Sequence, residues 1–206
     1  YDALIQLQVG IHPLTSPPLR GKLFNAMPRN LFNLDSPILL LVSGLKLELE
    51  VVNLKTPEGC NLILGQSHFI KTVEDIYEAM VSSTPSVKFG LAFCESSGER
   101  LVRVEGNDEE LKQVAAENAM RLGCGHSFVI VMRDAYPINV LNQLKMVPEI
   151  CTIYAATANP LQVIVAETDQ GRALLGVVDG GKPRGVEDEE GVKWRKSILR
   201  ELKYKL

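Results

Sequence analysis

The run Gly65-Gln66-Ser67-His68-Phe69-Ile70-Lys71-Thr72 follows an apolar, strand-like stretch and leads into an amphipathic helix. The chain must therefore turn from strand to helix here, with a histidine and a lysine in that turn. The spacing misses the phosphate-binding loop G-x-x-x-x-G-K-[ST] by one residue, because Ile70 stands where the second glycine is required. A β-branched residue disfavours positive φ, so a triphosphate cradle of the usual shape is not expected. What remains is a turn at a helix N-terminus carrying His68 and Lys71, which suits a single phosphate or a nucleoside monophosphate. A histidine in such a turn also serves as an ordinary structural hydrogen-bonding residue, and both readings stay open here.

Composition narrows the class. With 206 residues, 23% of them charged, and a net charge of −3, the chain lacks the clustered Lys and Arg that a nucleic-acid surface needs. The short tail Lys193 to Lys205 alternates in sign and reads as a solvated helix face. Cys60, Cys94, Cys124 and Cys151 form no C-x-x-C pair, so reduced thiols in a cytoplasmic protein are expected. Cys124 lies two residues before His126, but no third ligand is near in sequence, and no metal site is assigned.

Residues 1–44 differ from the rest. They contain Pro13, Pro17, Pro18 and Pro28 and sustain neither period 2 nor period 3.6, which predicts an irregular arm. The chain opens on Tyr1 with Met27 further in, which leaves room for part of the arm to be upstream or vector-derived sequence. Pro37 to Val42 is apolar but far shorter than the roughly 20 residues of a membrane span. It is the one part of the arm able to add to a sheet edge or clasp a neighbouring subunit.

From Leu45 to Leu206 a single domain is expected. Leu45 to Val51 alternates with period two, and Cys60 to Leu64, Lys88 to Cys94, Leu101 to Glu105, Ser127 to Met132, Ile150 to Ala156, Gln162 to Thr168 and Leu174 to Val178 read as further strands. Ser96-Ser97-Gly98-Glu99 marks a hairpin turn. Thr72 with Asp75 predicts a capping box for a helix whose face is Val73, Ile76, Tyr77, Met80 and Val81. Leu111, Val114, Ala115, Asn118, Ala119 and Leu122 define a second helix stopped by Gly123, and helices are also predicted over Asn139 to Val147 and through Val192, Ile198, Leu199 and Leu202. The pattern predicts an α+β or α/β domain with a mixed sheet and flanking helices.

Polar clusters fall at the ends of these elements, where a sheet protein places its ligand. They are Asn107 and Asp108, Gly123-Cys124-Gly125-His126, Asn139 and Asn142, Asn159, Arg172, and Asp179. Each has a local explanation as a cap or turn residue. Together their amide and carboxylate groups are the donors and acceptors that a purine edge and ribose hydroxyls require.

The runs Gly65 to Ala79, Lys88 to Glu95, Gly106 to Asp108, Pro137 to Asn142, Ala155 to Pro160, Ala166 to Arg172 and Gly176 to Gly180 resemble the adenosine-specific kinase family of small archaeal and bacterial proteins. The resemblance extends from about Lys46 to Lys205. It implies an α+β domain that binds adenosine or AMP as a homo-oligomer, while composition and the short apolar run predict neither nucleic acid nor membrane as partner. It also implies a kinase role, in which His68 would carry the phosphoryl group or act as base, with Lys71, Thr72 and Arg172 on the phosphate. Asn107, Asp108, His126, Asn139, Asn142, Asn159 and Asp179 would then contact the nucleoside. The alternative is a non-catalytic adenosine or AMP sensor using the same residues. No cofactor is implied outright, and Mg²⁺ would enter only with a nucleotide donor. Ribokinase-like adenosine kinases carry a G-A-G-D anion hole, of which Gly123-Cys124-Gly125-His126 is a partial echo with His in place of Asp.

Overall fold

The computed structural model describes residues 38–42 and 45–206, with residues 38–42 and 45–46 described by backbone alone. The remainder of the expected irregular arm lies outside the described residues. In chain order the elements are β1 (Ile38–Val42), β2 (Leu45–Asn53), β3 (Asn61–Ser67), α1 (Thr72–Ser83), β4 (Lys88–Cys94), β5 (Val102–Gly106), α2 (Glu109–Leu122), β6 (Ser127–Arg133), α3 (Pro137–Met146), β7 (Ile150–Thr157), β8 (Leu161–Glu167), β9 (Arg172–Asp179) and α4 (Glu189–Glu201).

The domain is α+β. Its strands form a four-stranded sheet in the order β1-β2-β8-β9 and a five-stranded sheet in the order β5-β4-β6-β3-β7. Where the sequence suggests one mixed sheet, the structure has two, and neighbouring named strands pair antiparallel throughout. The parallel link among the described residues is the isolated bridge between Cys124 and Arg172. β1 pairs with β2 from Ile38↔Leu49 to Val42↔Leu45, so the apolar run adds to a sheet edge, and the compact unit comprises Pro37–Leu206.

Period-two alternation sorts the five-stranded sheet between two cores. Leu62, Leu64, Ala92, Cys94, Val129 and Val131 face α2 and the β2–β8 pair, whose Val52, Val163 and Val165 complete the first core. Ile63, Phe89, Leu91, Phe93, Phe128 and Ile130 face α1 and α3 in the second, against Ile76, Met80, Val140 and Leu144. Both faces are covered, which is why Leu62-Ile63-Leu64 reads as a continuous apolar run. Each fully buried Leu, Ile or Phe contributes about 1.5–3 kcal/mol.

Helix ends follow local chemistry with one exception. Asp108 caps α2 by accepting from Leu111 N at 3.1 Å, and Gly123 closes it at φ 58°. α3 begins at Pro137, two residues before the expected Asn139, because proline suits the first helical turn. The predicted capping box of α1 does not form: Lys71 occupies the N-cap position, and the Thr72 hydroxyl donates to Phe69 O at 2.6 Å instead of bonding within the helix.

The antiparallel register gives the five-stranded sheet two distinct ends. One end gathers the last residues of β3 and β4, the first residues of β5, β6 and β7, the C-terminus of α2, and the β8–β9 turn. The opposite end gathers the start of α2, the start of α3 and the β7–β8 turn.

Candidate functional site

The structure divides the predicted site residues between these ends. His68, Lys71, Thr72, His126 and Arg172 lie at the first, whereas Asn107, Asp108, Asn139, Asn159 and Asp179 lie at the second, with Asn142 on the exposed side of α3 between them. Seven-residue strands separate the two groups by about 20 Å, further than one nucleoside reaches. The structure does not bring them together around one ligand within a chain.

At the opposite end the amides and carboxylates are occupied by the fold. Asn107 accepts from Phe89 N at 2.9 Å and donates to Val87 O at 2.8 Å, tying β4 to the α2 entry. Asp108 caps α2 and pairs with Arg133. Asn139 accepts from Tyr136 N at 2.9 Å. Asp179 accepts from Thr157 Oγ1 at 2.8 Å and from Asn159 Nδ2 at 3.0 Å, closing the β7–β8 turn.

At the β3–α1 junction the phosphate-type groups are also engaged. The N–H groups of Thr72, Val73 and Glu74 donate to the carbonyls of Phe69, Ile70 and Lys71, so the first turn of α1 offers none of them to an anion. Thr72 is fully buried. Lys71 donates to Glu149 at 2.8 Å and pairs with Asp75, which raises its pKa, while the same Lys71 contact holds Glu149 below the usual carboxylate range. His68 is exposed, lies stacked beside Phe69 at 6.3 Å, and donates its backbone N–H to Glu149 O at 3.2 Å.

His126 lies at the same end in a left-handed conformation with φ 60°, its ring stacked 5.8 Å from Phe93. Its backbone joins three strands, because its N–H donates to Cys94 O at 2.7 Å and its carbonyl accepts from Ser67 N at 2.9 Å.

On the α2 side of this end, a cleft of about 550 Å³ opens between the β4–β5 turn, the end of α2, and the Thr168–Arg172 turn. Its floor is apolar, from Cys94, Leu101, Val102 and Ala119, and its walls carry Ser96, Arg100, Thr168, Gln170 and Arg172 with backbone exposed at Gly123, Gly125 and Gly171. A smaller recess of about 280 Å³ continues from Gly125 and Arg172 past Gln66 and Tyr154, where Tyr154 donates to Gln66 Oε1 at 3.2 Å. Side-chain room is set by Gly125, since a Cβ there would overlap Ser96 Oγ. Arg172 donates to Arg121 O at 3.0 Å and pairs with Glu50, with Glu167 at 3.6 Å. Burial pushes the Cys124 thiol up to about 11, so it stays protonated at neutral pH and is a poor nucleophile. Among the described residues no three His, Cys, Asp or Glu side chains are grouped to hold a metal ion.

A second groove, of about 590 Å³, lies by α3 and the C-terminal residues Leu202 and Tyr204. It has no charged side chain, and none of the residues predicted to contact the nucleoside lines it. Of these two, the first cleft combines apolar floor, polar walls and cationic side chains, the composition expected of a site for a small polar ligand. Of the predicted residues, Arg172 lines it. Ser96 and Arg100 line the cleft and Gln66 and Tyr154 its recess without having been singled out from the sequence as site residues, because a hairpin turn and a strand register bring these distant segments together.

The sequence profile of the adenosine specific kinase family matches residues 52–205. The chain belongs to the adenosine specific kinase family. Among solved structures, the PH1918 protein from Pyrococcus horikoshii OT3 is 46% identical, with a TM-score of 0.75 over 78% of this chain and 99% of that one. No curated protein matches the chain. The family agrees with a site for an adenosine-type ligand, and no helix among the described residues is long and apolar enough to cross a membrane.

Proposed function

We propose that the chain binds adenosine or AMP in the cleft between the β4–β5 turn, the end of α2 and Arg172. The observation that carries this reading is the convergence, at one end of the sheet, of an apolar floor, glycine backbone and two arginines in a member of this family. Base and ribose pack on the floor against Leu101 and Ala119, and Ser96, Thr168 and Gln170 supply neutral donors and acceptors. In the kinase form of the reading, His68 carries a phosphoryl group to or from adenosine or acts as base toward the 5′-hydroxyl. The sensor form is favoured by the β3–α1 junction, where Lys71 is held by two carboxylates and the helix N–H groups are used internally, so no triphosphate donor is cradled there. A homo-oligomer is part of the proposal, since α4 buries none of its residues and leaves Trp194 67% exposed.

Equilibrium titration with adenosine, AMP, ADP and ATP tests it. Adenosine or AMP is expected to bind more tightly than ATP, and a ligand at 100 times its dissociation constant should stabilise the fold by about 2.7 kcal/mol. ATP as the tightest ligand would contradict the reading. The same titration on His68→Ala separates its forms: loss of AMP affinity relative to adenosine places His68 at the phosphate, and equal affinities make it a structural residue.

A further inference from the structure

The charged groups of the cleft are unequally committed. Glu95 accepts from Leu101 N at 3.2 Å and from Arg103 at 3.0 Å, and these bonds hold it ionised. Arg172 is shared among Glu50, Glu167 and the Arg121 carbonyl. Arg100 differs from both: it is exposed, its guanidinium has no hydrogen-bond or ion-pair partner among the described residues, and it lines the cleft. Its backbone stands at φ 55°, closed by a bond from Arg100 N to Ser97 O at 3.2 Å. Only glycine adopts that conformation freely, because any Cβ crowds the following carbonyl. Locally, then, arginine is a disfavoured choice, and disfavoured backbone of this kind gathers at ligand sites. What arginine adds is an unneutralised planar fork facing a cleft whose other charges are already matched.

We propose that Arg100 is the phosphate-binding residue of this cleft and selects the monophosphate of adenosine over adenosine itself. The assignment rests on the reading that the cleft takes an adenosine-type ligand, and it deepens that reading by moving the anion site from the β3–α1 junction to the β4–β5 turn. The guanidinium presents two parallel N–H donors to two phosphate oxygens, a geometry that lysine cannot reproduce. Ser96, on the same turn, adds a hydroxyl, and Gly125 keeps the space in front of it open. Arg172, already neutralised, holds the β8–β9 turn against α2 and shapes the opposite wall.

The experiment is calorimetric titration of the full chain and of Arg100→Gly and Arg100→Lys with AMP, adenosine and ribose 5-phosphate. Glycine relieves the φ strain, so Arg100→Gly should melt no lower than the parent, and any lost affinity is then not a folding defect. AMP should weaken about tenfold or more in Arg100→Gly while adenosine stays within about twofold, the difference of one charge-assisted contact. Ribose 5-phosphate should weaken with AMP, and Arg100→Lys should fall between parent and Arg100→Gly. If the parent binds AMP and adenosine but Arg100→Gly weakens neither, or weakens both equally, the assignment of Arg100 is overturned and the cleft reading stands. If the parent binds neither, the cleft reading falls and the assignment falls with it.

Discussion

Lys71 has the identity of a phosphate-binding residue and the partners of a structural one. Its ammonium bridges Asp75 on its own helix and Glu149 ahead of β7, so it ties the start of α1 to the start of β7. Glu149 is largely buried, and the bond from Lys71 is the main reason its pKa lies below the ordinary 4.5. A carboxylate whose folded pKa is depressed contributes stability that is complete above the unfolded value and fades as pH falls through the folded one. Lys71→Met should therefore destabilise the fold most near neutral pH, and the gap between variant and parent should narrow as pH is taken below 4.5. Urea midpoints measured from pH 7 to pH 3 check this, and a gap that stays constant would show that the pair contributes nothing through charge. The residue scale also shows where composition misleads: Asn107, Asn139 and Asn159 have the amides a purine would need, and each spends them on a neighbouring turn or helix end.

At the scale of elements, α2 lies so close on β4 that a Cβ on Gly90 would overlap the Leu111 backbone. Gly90→Ala should cost about 3 kcal/mol, since neither the helix backbone nor the strand between β5 and β6 can yield. Chemical denaturation measures it, and a loss under about 1 kcal/mol would mean that α2 shifts freely on the sheet. The sequence was legible where period and punctuation agree: the α2 face, its Gly123 stop and the β4–β5 hairpin are all present. It was less so where two local bonds compete. Thr72 and Asp75 have capping-box spacing, yet the Thr72 hydroxyl finds Phe69 O at shorter range, a choice set by the tight turn after β3. Strand partners were not readable at all, because alternation says which face a residue occupies and not which strand lies beside it. Hence the split into two sheets, and the cleft that forms where the β8–β9 turn meets α2, came only with the structure.

For the molecule as a whole, topology decides which polar residues share a ligand. Strands that run in opposite directions carry the His68, His126 and Arg172 segments to one end of the five-stranded sheet and the Asn107, Asn139, Asn159 and Asp179 segments to the other. Among the described residues, the cleft with unmatched positive charge on an apolar floor lies at the first end. The account therefore stands on where AMP binds, and amide hydrogen exchange of the full chain with and without AMP locates it directly. Protection is predicted for Ser96 to Val102, Gly123 to His126 and Thr168 to Ala173, with Asn107, Asn139 and Asp179 unchanged. Protection confined to Asn107, Asn139 and the β7–β8 turn from Thr157 to Leu161, with the Arg100 segment unaffected, would contradict it.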